Sequence, residues 1–263
     1  LEGGADTLAP VTAIALYDEF KELTPAGTRG DEMIRKLADR LVGVDLLGRA
    51  ARLLEAQVRF RLKGADKARV GAQLALVHVL AREPDKAAEA LKATEADDLP
   101  PALAGQRRHL LARALIGMEQ ADEALALLED DESMDADLLR VAVLWRARDW
   151  PGAAKVLKRL VRTLQAEPRQ ALNDRQGKFV LSLAIALTLS GEERAVGRVR
   201  RDYGAAMETG PYKGAFRLIA GAQSTGLIDY RTVASRVGEV ENFQAFLTDY
   251  NERLREQKRS AVN

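Results

Sequence analysis

The sequence predicts an all-α fold built of stacked helical hairpins. Three features point there. Ala, Leu and Arg abound while aromatics make up only 5% of the 263 residues, and those three residues are among the best helix formers. Hydrophobic residues reach 47% beside 30% charged, enough apolar matter for a folded core. Above all, small and large apolar residues recur together at a step of 37.

The step is visible from the N-terminal part onward. Leu37-Ala38, Leu74-Ala75 and Leu111-Ala112 stand 37 apart, and four residues beyond each Leu come Leu41, His78 and Leu115. A Leu-Ala pair followed by a large residue lies on one helical face. A second series, Ala13, Ala50, Ala87 and Ala124, keeps the same step, with Tyr17, Leu54, Leu91 and Leu128 four residues later. These mark a second helix, whose Ala permits close approach while the larger residue fills the space beside it. A single hairpin leaves apolar faces uncovered, so neighbouring hairpins must stack.

Beyond residue 130 the step breaks, yet hairpins continue. Residues 139–148 pair with 151–163, with Ala142 and Ala153 as small contacts. Residues 178–189 pair with 192–207, with Ala184 and Ala195 in that role. Pro151 and Pro168 suit first-turn positions of helices, and Gly191 after Ser190 reads as a turn. The nearly apolar run 179–189 is too short for a membrane span of roughly 20 residues and reads as a buried helix. Three further helices are expected at 212–223, 229–237 and 241–257. The last carries Phe243, Phe246, Leu247, Tyr250 and Leu254 at helical spacing. Such a helix caps an open apolar end or docks a partner.

The residues Leu74, Ala75, His78, Ala87 and Leu91, with Leu111, Ala112, Leu115, Ala124 and Leu128, resemble the tetratricopeptide repeat (TPR) family. Pro25, twelve residues after Ala13, falls where that family commonly ends its second helix. The resemblance covers residues 10–130 and, more loosely, the chain to about residue 208. The family period is about 34 residues, so a step of 37 implies longer turns. The family's Trp and Tyr positions are mostly aliphatic here, and His78 fills one of them. The resemblance implies a right-handed α-solenoid over residues 1–208, continued by a capping region over 209–263. It also implies a concave surface lined by the first helices. Carried over column by column, that surface holds Arg35, Asp39 and Val42, then Ala72, Leu76 and Val79, then His109, Arg113 and Ile116. Leu76, Val79 and Ile116 form an apolar strip flanked by charge, suited to an amphipathic, acidic peptide or protein segment. The family's clamp for a C-terminal carboxylate uses Lys and Asn at such positions, and no Asn stands there.

Composition narrows the chemistry. Forty basic residues face 39 acidic ones, a net charge of +1, which argues against a general nucleic-acid binder. With no Cys, disulfides and Cys-based zinc sites are excluded, and both the bacterial periplasm and the cytoplasm remain open. Of the two histidines, His78 falls in the buried register and His109 reads as surface. No HExxH, GxGxxG, P-loop or GxSxG pattern occurs. No catalytic residue, cofactor or metal is therefore expected. The acidic stretch Glu129, Asp130, Asp131, Glu132, Asp135 and Asp137 lacks the Gly and terminal Glu of a calcium loop and reads as a solvated turn. Lys155, Lys158, Arg159, Arg162 and Arg169, with Arg194, Arg198, Arg200 and Arg201, make a basic counterpart. No aromatics for base stacking are interleaved there.

The expected function is thus a non-catalytic module that binds a partner protein or peptide. Two other classes stay open: a scaffold that self-associates in an envelope or motility assembly, and an accessory domain of a larger enzyme. The start at Leu1 without Met reads as an excised fragment, with no insertion of this stretch into a membrane expected.

Overall fold

A computed structural model describes residues 12–15, 19, 25 and 27–220. Among them every regular element is an α-helix, and no strand occurs. The chain divides into two compact units, Leu1–Leu127 and Leu128–Asn263, whereas the sequence division falls at residue 208.

In the first unit the helices are α1 (Thr28–Gly43), α2 (Leu47–Phe60), α3 (Gly64–Leu80), α4 (Pro84–Ala93), α5 (Pro101–Gly117) and α6 (Ala121–Leu128), whose last residue opens the second unit. Their starts carry the repeat. Gly64 and Pro101 are one step apart, and so are Leu47, Pro84 and Ala121. From α1 to α5 each helix packs on the next, and α3 also packs on α5. The small residues of the step sit at the contacts: Ala38, Ala50, Ala75, Ala87, Ala112 and Ala124 are fully buried. Leu41, Leu54, Leu91 and Leu128 are buried beside them. Each contributes about 1.5–3 kcal/mol relative to exposure. His78 is packed in the core, as its register predicts. Tyr17 lies outside the described residues.

Turns inside the hairpins repeat as faithfully as the helices. Asp45, Arg82 and Glu119, one step apart, all have positive φ, at 62°, 60° and 65°. Each reverses the chain after a first helix. Backbone N–H of the following residue donates back to the last turn: Leu46 to Leu41 O at 2.8 Å, Glu83 to His78 O at 2.9 Å, Gln120 to Leu115 O at 2.9 Å. This left-handed ending satisfies carbonyls the helix would otherwise leave open.

The second unit contains α7 (Met134–Arg146), α8 (Trp150–Thr163), α9 (Asp174–Leu189), α10 (Glu193–Met207) and α11 (Lys213–Ala220). The sequence places the starts of α7 and α9 four to five residues late. Their first turns are polar, so the apolar period begins only after the true start. Side-chain caps mark those starts instead. Ser133 Oγ accepts from Ala136 N–H at 3.2 Å, and Asn173 and Gln176 form a reciprocal capping box. α9 packs on α8, α10 and α11, and that enclosure explains why residues 179–187 are buried without a break. Pro151 lies in the first turn of α8, as expected. Pro168 instead sits in the loop before α9, because the Asn173 cap moves the helix start past it. Gly191 makes the predicted turn at φ 76°. Of the three expected C-terminal helices only the first is described, as α11. The stretches 229–237 and 241–257, with the apolar residues read as a cap, lie outside the described residues.

Candidate functional site

The concave columns read from the sequence fall on α1, α3 and α5 of the first unit. Arg35 is half-buried on α1, and Asp39 is exposed there. The Asp39 carboxylate accepts a 2.6 Å hydrogen bond from Gln73 Nε2, which ties α1 to α3 across this face. Val79 on α3 and Arg113 on α5 are half-buried. Leu76, His109 and Ile116 are 7%, 8% and 4% exposed, so their side chains belong mainly to the packing. His109 was expected at the surface; the structure buries it. The physical reason is neighbour number. α3, which carries Leu76, packs on α2, α4 and α5, and α5, which carries His109 and Ile116, packs on α3 and α4, so little of either circumference is free. The polar and half-buried members Arg35, Asp39, Gln73, Val79 and Arg113 are what this face offers a partner.

Other polar side chains look inward and are already occupied. Arg107 is 9% exposed and lies on the stripe of Leu103, Leu110 and Ala114. Its guanidinium donates to Ala68 O at 2.7 Å, to Leu91 O at 2.6 Å and to Thr94 Oγ1 at 3.1 Å. Burial pulls its pKa below the ordinary arginine value, and the three acceptors offset that desolvation. Gly71 makes room beside Thr94: a Cβ at Gly71 would stand 1.9 Å from Thr94 Oγ1 and 2.4 Å from its Cβ.

His78 Nδ1 lies 2.8 Å from Glu83 Oε2, and His78 Nε2 lies 3.6 Å from Glu55 Oε1. Glu83 also accepts from Lys86 at 2.7 Å. The Lys86 bond and then the His78 bond hold the Glu83 carboxyl below the usual carboxylate range.

In the second unit the acidic stretch is only partly a solvated turn. Glu129, Asp130 and Glu132 are exposed, but Asp137 is 2% exposed. It accepts from Arg140 Nη1 at 2.6 Å and from Arg159 Nε at 2.5 Å, with a further bond from Arg159 Nη2. The Asp137 bond, foremost, holds the Arg159 pKa above its ordinary value. Arg140 also donates to the carbonyls of Leu128, Glu129 and Asp131. Gln176 plays a similar part at the end of α8, donating to Leu164 O at 2.9 Å and Gln165 O at 3.2 Å. Thus Arg107, Arg140 and Gln176 each seal the C-terminal carbonyls of the preceding second helix from the next first helix. Sequence reading missed all three. The available signal was a polar residue set within an apolar helical stripe, as at Arg107.

Among the described residues no group of three His, Cys, Asp or Glu side chains is placed to hold a metal ion. No described helix is long and apolar enough to cross a membrane. Compared with known protein families, curated proteins and solved structures, the chain matches none.

Proposed function

We propose that the chain is a TPR-like module whose hairpins stack, within each unit, as a right-handed solenoid. It binds a partner protein or peptide without catalysis, through the face of α1, α3 and α5. The observation that carries this reading is the repeat itself: helix starts and positive-φ turns both recur at the 37-residue step. Equivalent helices then present equivalent positions, and a row of such positions suits an extended or helical segment of a partner.

Chemistry of the row narrows the partner. Arg35 and Arg113 provide guanidiniums, which grip carboxylates through paired hydrogen bonds. Val79 provides apolar contact. An acidic, amphipathic segment fits best, with a transient affinity in the micromolar range, about −8 kcal/mol.

The test replaces Arg35→Glu and Arg113→Glu together and leaves the buried Leu76, His109 and Ile116 untouched. Wild type and variant, matched by circular dichroism, are used as baits against lysate of the source organism. Loss of specific wild-type partners with an unchanged helical spectrum is the expected result. Full recovery of every partner on the folded variant removes this face as the binding site.

A further inference from the structure

The second unit carries a surface that the groove reading does not use. α8 reads WPGAAKVLKRLVRT, with four cations and no carboxylate. α10 carries four arginines against Glu193 and Asp202. Charge on these two helices is therefore strongly positive, in a chain whose net charge is only +1. The cations are not scattered. Lys155, Lys158 and Arg162 stand at i, i+3 and i+7 on α8, and Arg194, Arg198 and Arg201 stand at i, i+4 and i+7 on α10. Each set is a straight stripe along one helical face, about 10 Å long at 1.5 Å per residue.

All six side chains are exposed. None of the six pairs with a described carboxylate. Arg159, between the α8 cations, is different because Asp137 already holds it. The opposite faces of both helices, with Val156, Leu157 and Leu160 on α8 and Ala195, Val199 and Tyr203 on α10, enter the same core. Two bonds tie the loop that follows α8 to α10. Tyr203 OH donates to Ala166 O at 2.9 Å, and Arg169 N–H donates to Asp202 O at 2.7 Å. Each stripe thus lies opposite the face by which its helix enters that common core.

What such a surface lacks is as informative as what it holds. Protein interfaces centre on apolar or aromatic anchors, and among the described residues of these stripes there are none. Single-stranded nucleic acid calls for aromatic stacking platforms, again absent from the stripes. Contact here is purely Coulombic and spread over two rows. That suits a plane of mobile anionic groups, which rearrange to meet fixed cations without a required register. Clusters of four to eight cations on amphipathic helices bind anionic lipid at about 1 kcal/mol each. We propose that the α8–α10 face is a peripheral attachment surface for the anionic phospholipid headgroups of a bilayer, held without insertion.

The full chain is tested by flotation with phosphatidylcholine vesicles prepared with and without phosphatidylglycerol. Wild type should float with the anionic vesicles at about 50 mM salt, stay behind with the neutral ones, and be released at about 500 mM salt, where screening shortens to a few ångströms. The variant Lys155→Gln/Lys158→Gln/Arg198→Gln/Arg201→Gln should bind about a thousandfold more weakly. A control with the same charge change in the first unit, Arg49→Gln/Arg52→Gln/Lys63→Gln/Lys92→Gln, should bind as wild type does. Wild-type failure to float with anionic vesicles overturns the proposal, whatever the variants do. So does equal loss in the control, which would mean general charge alone. Tighter binding to a nucleic-acid duplex than to vesicles, lost in the same α8–α10 variant, reassigns the surface and also overturns it.

Discussion

The two units solve one problem, starting and stopping helices in register, by different means. In the first unit α1 to α5 have no side-chain N-cap bond. Their starts are set by constant turn length and by Pro84 and Pro101 at first-turn positions. In the second unit α7, α8 and α9 are each capped by a side chain, from Ser133, Asp149 and Asn173. There the 37-residue step is gone. Periodic spacing and local capping divide in this way between α1–α5 and α7–α9, whereas α10 has no side-chain cap either. Both units keep the left-handed turn inside the hairpin and the side-chain seal on second-helix carbonyls.

The largest expected effect lies in the second unit. Asp137→Ala leaves the Arg140 guanidinium, which is little exposed, without its carboxylate. Breaking such a pair costs about 3–5 kcal/mol. Urea unfolding followed by circular dichroism measures it, and a cost below about 1 kcal/mol would show that the Asp137 network is incidental to the unit's stability.

Next comes the close approach of α3 to the end of α4 at Gly71. Gly71→Ala drives a methyl into Thr94, and overpacking of this kind costs about 1–3 kcal/mol. An unchanged urea midpoint would mean that α3 and α4 separate freely, against the tight step described above.

Caps come third and test the contrast itself. Asn173→Ala should cost about 1 kcal/mol. In the first unit, Lys63 precedes α3 with φ −138° and ψ 163°, the extended geometry a capping residue adopts. Lys63→Ser should therefore raise the melting temperature, adding up to about 1 kcal/mol. If Lys63→Ser is neutral and Asn173→Ala is harmless, capping does not distinguish the units.

Smallest is the turn. Arg82 and Glu119 occupy the left-handed region with a Cβ, where Gly191 has none. Arg82→Gly should stabilise by up to about 1 kcal/mol, and Gly191→Ala should destabilise by a similar amount. Equal signs for the two substitutions would break the equivalence of these turns.

How much of this was legible in the sequence follows from the same contrast. Where the step is strict, Leu74-Ala75 with Ala87 and Leu111-Ala112 with Ala124 locate helices and their buried faces. Where caps replace it, the polar first turns of α7 and α9 hide their starts. The candidate face was legible as columns but not as exposure. Leu76 and Ile116 look like an apolar strip in one dimension, yet the contacts of α3 with α2, α4 and α5, and of α5 with α3 and α4, turn such side chains inward. Arg107 went unread and Asp137 read as part of a solvated turn, because only tertiary contacts bring three carbonyl and hydroxyl acceptors to the one and two guanidiniums to the other.

A repeat architecture is tested most directly by removing one step. Deleting residues 64–100 joins Lys63 to Pro101, so that α5 takes the place of α3 after α2. The shortened chain should keep its helical signal per residue and melt cooperatively, since stacked repeats depend mainly on their neighbours. A half-step deletion, residues 72–90, should abolish that cooperative transition. Loss of cooperative melting in the whole-step deletion, or equal tolerance of both, would contradict the account.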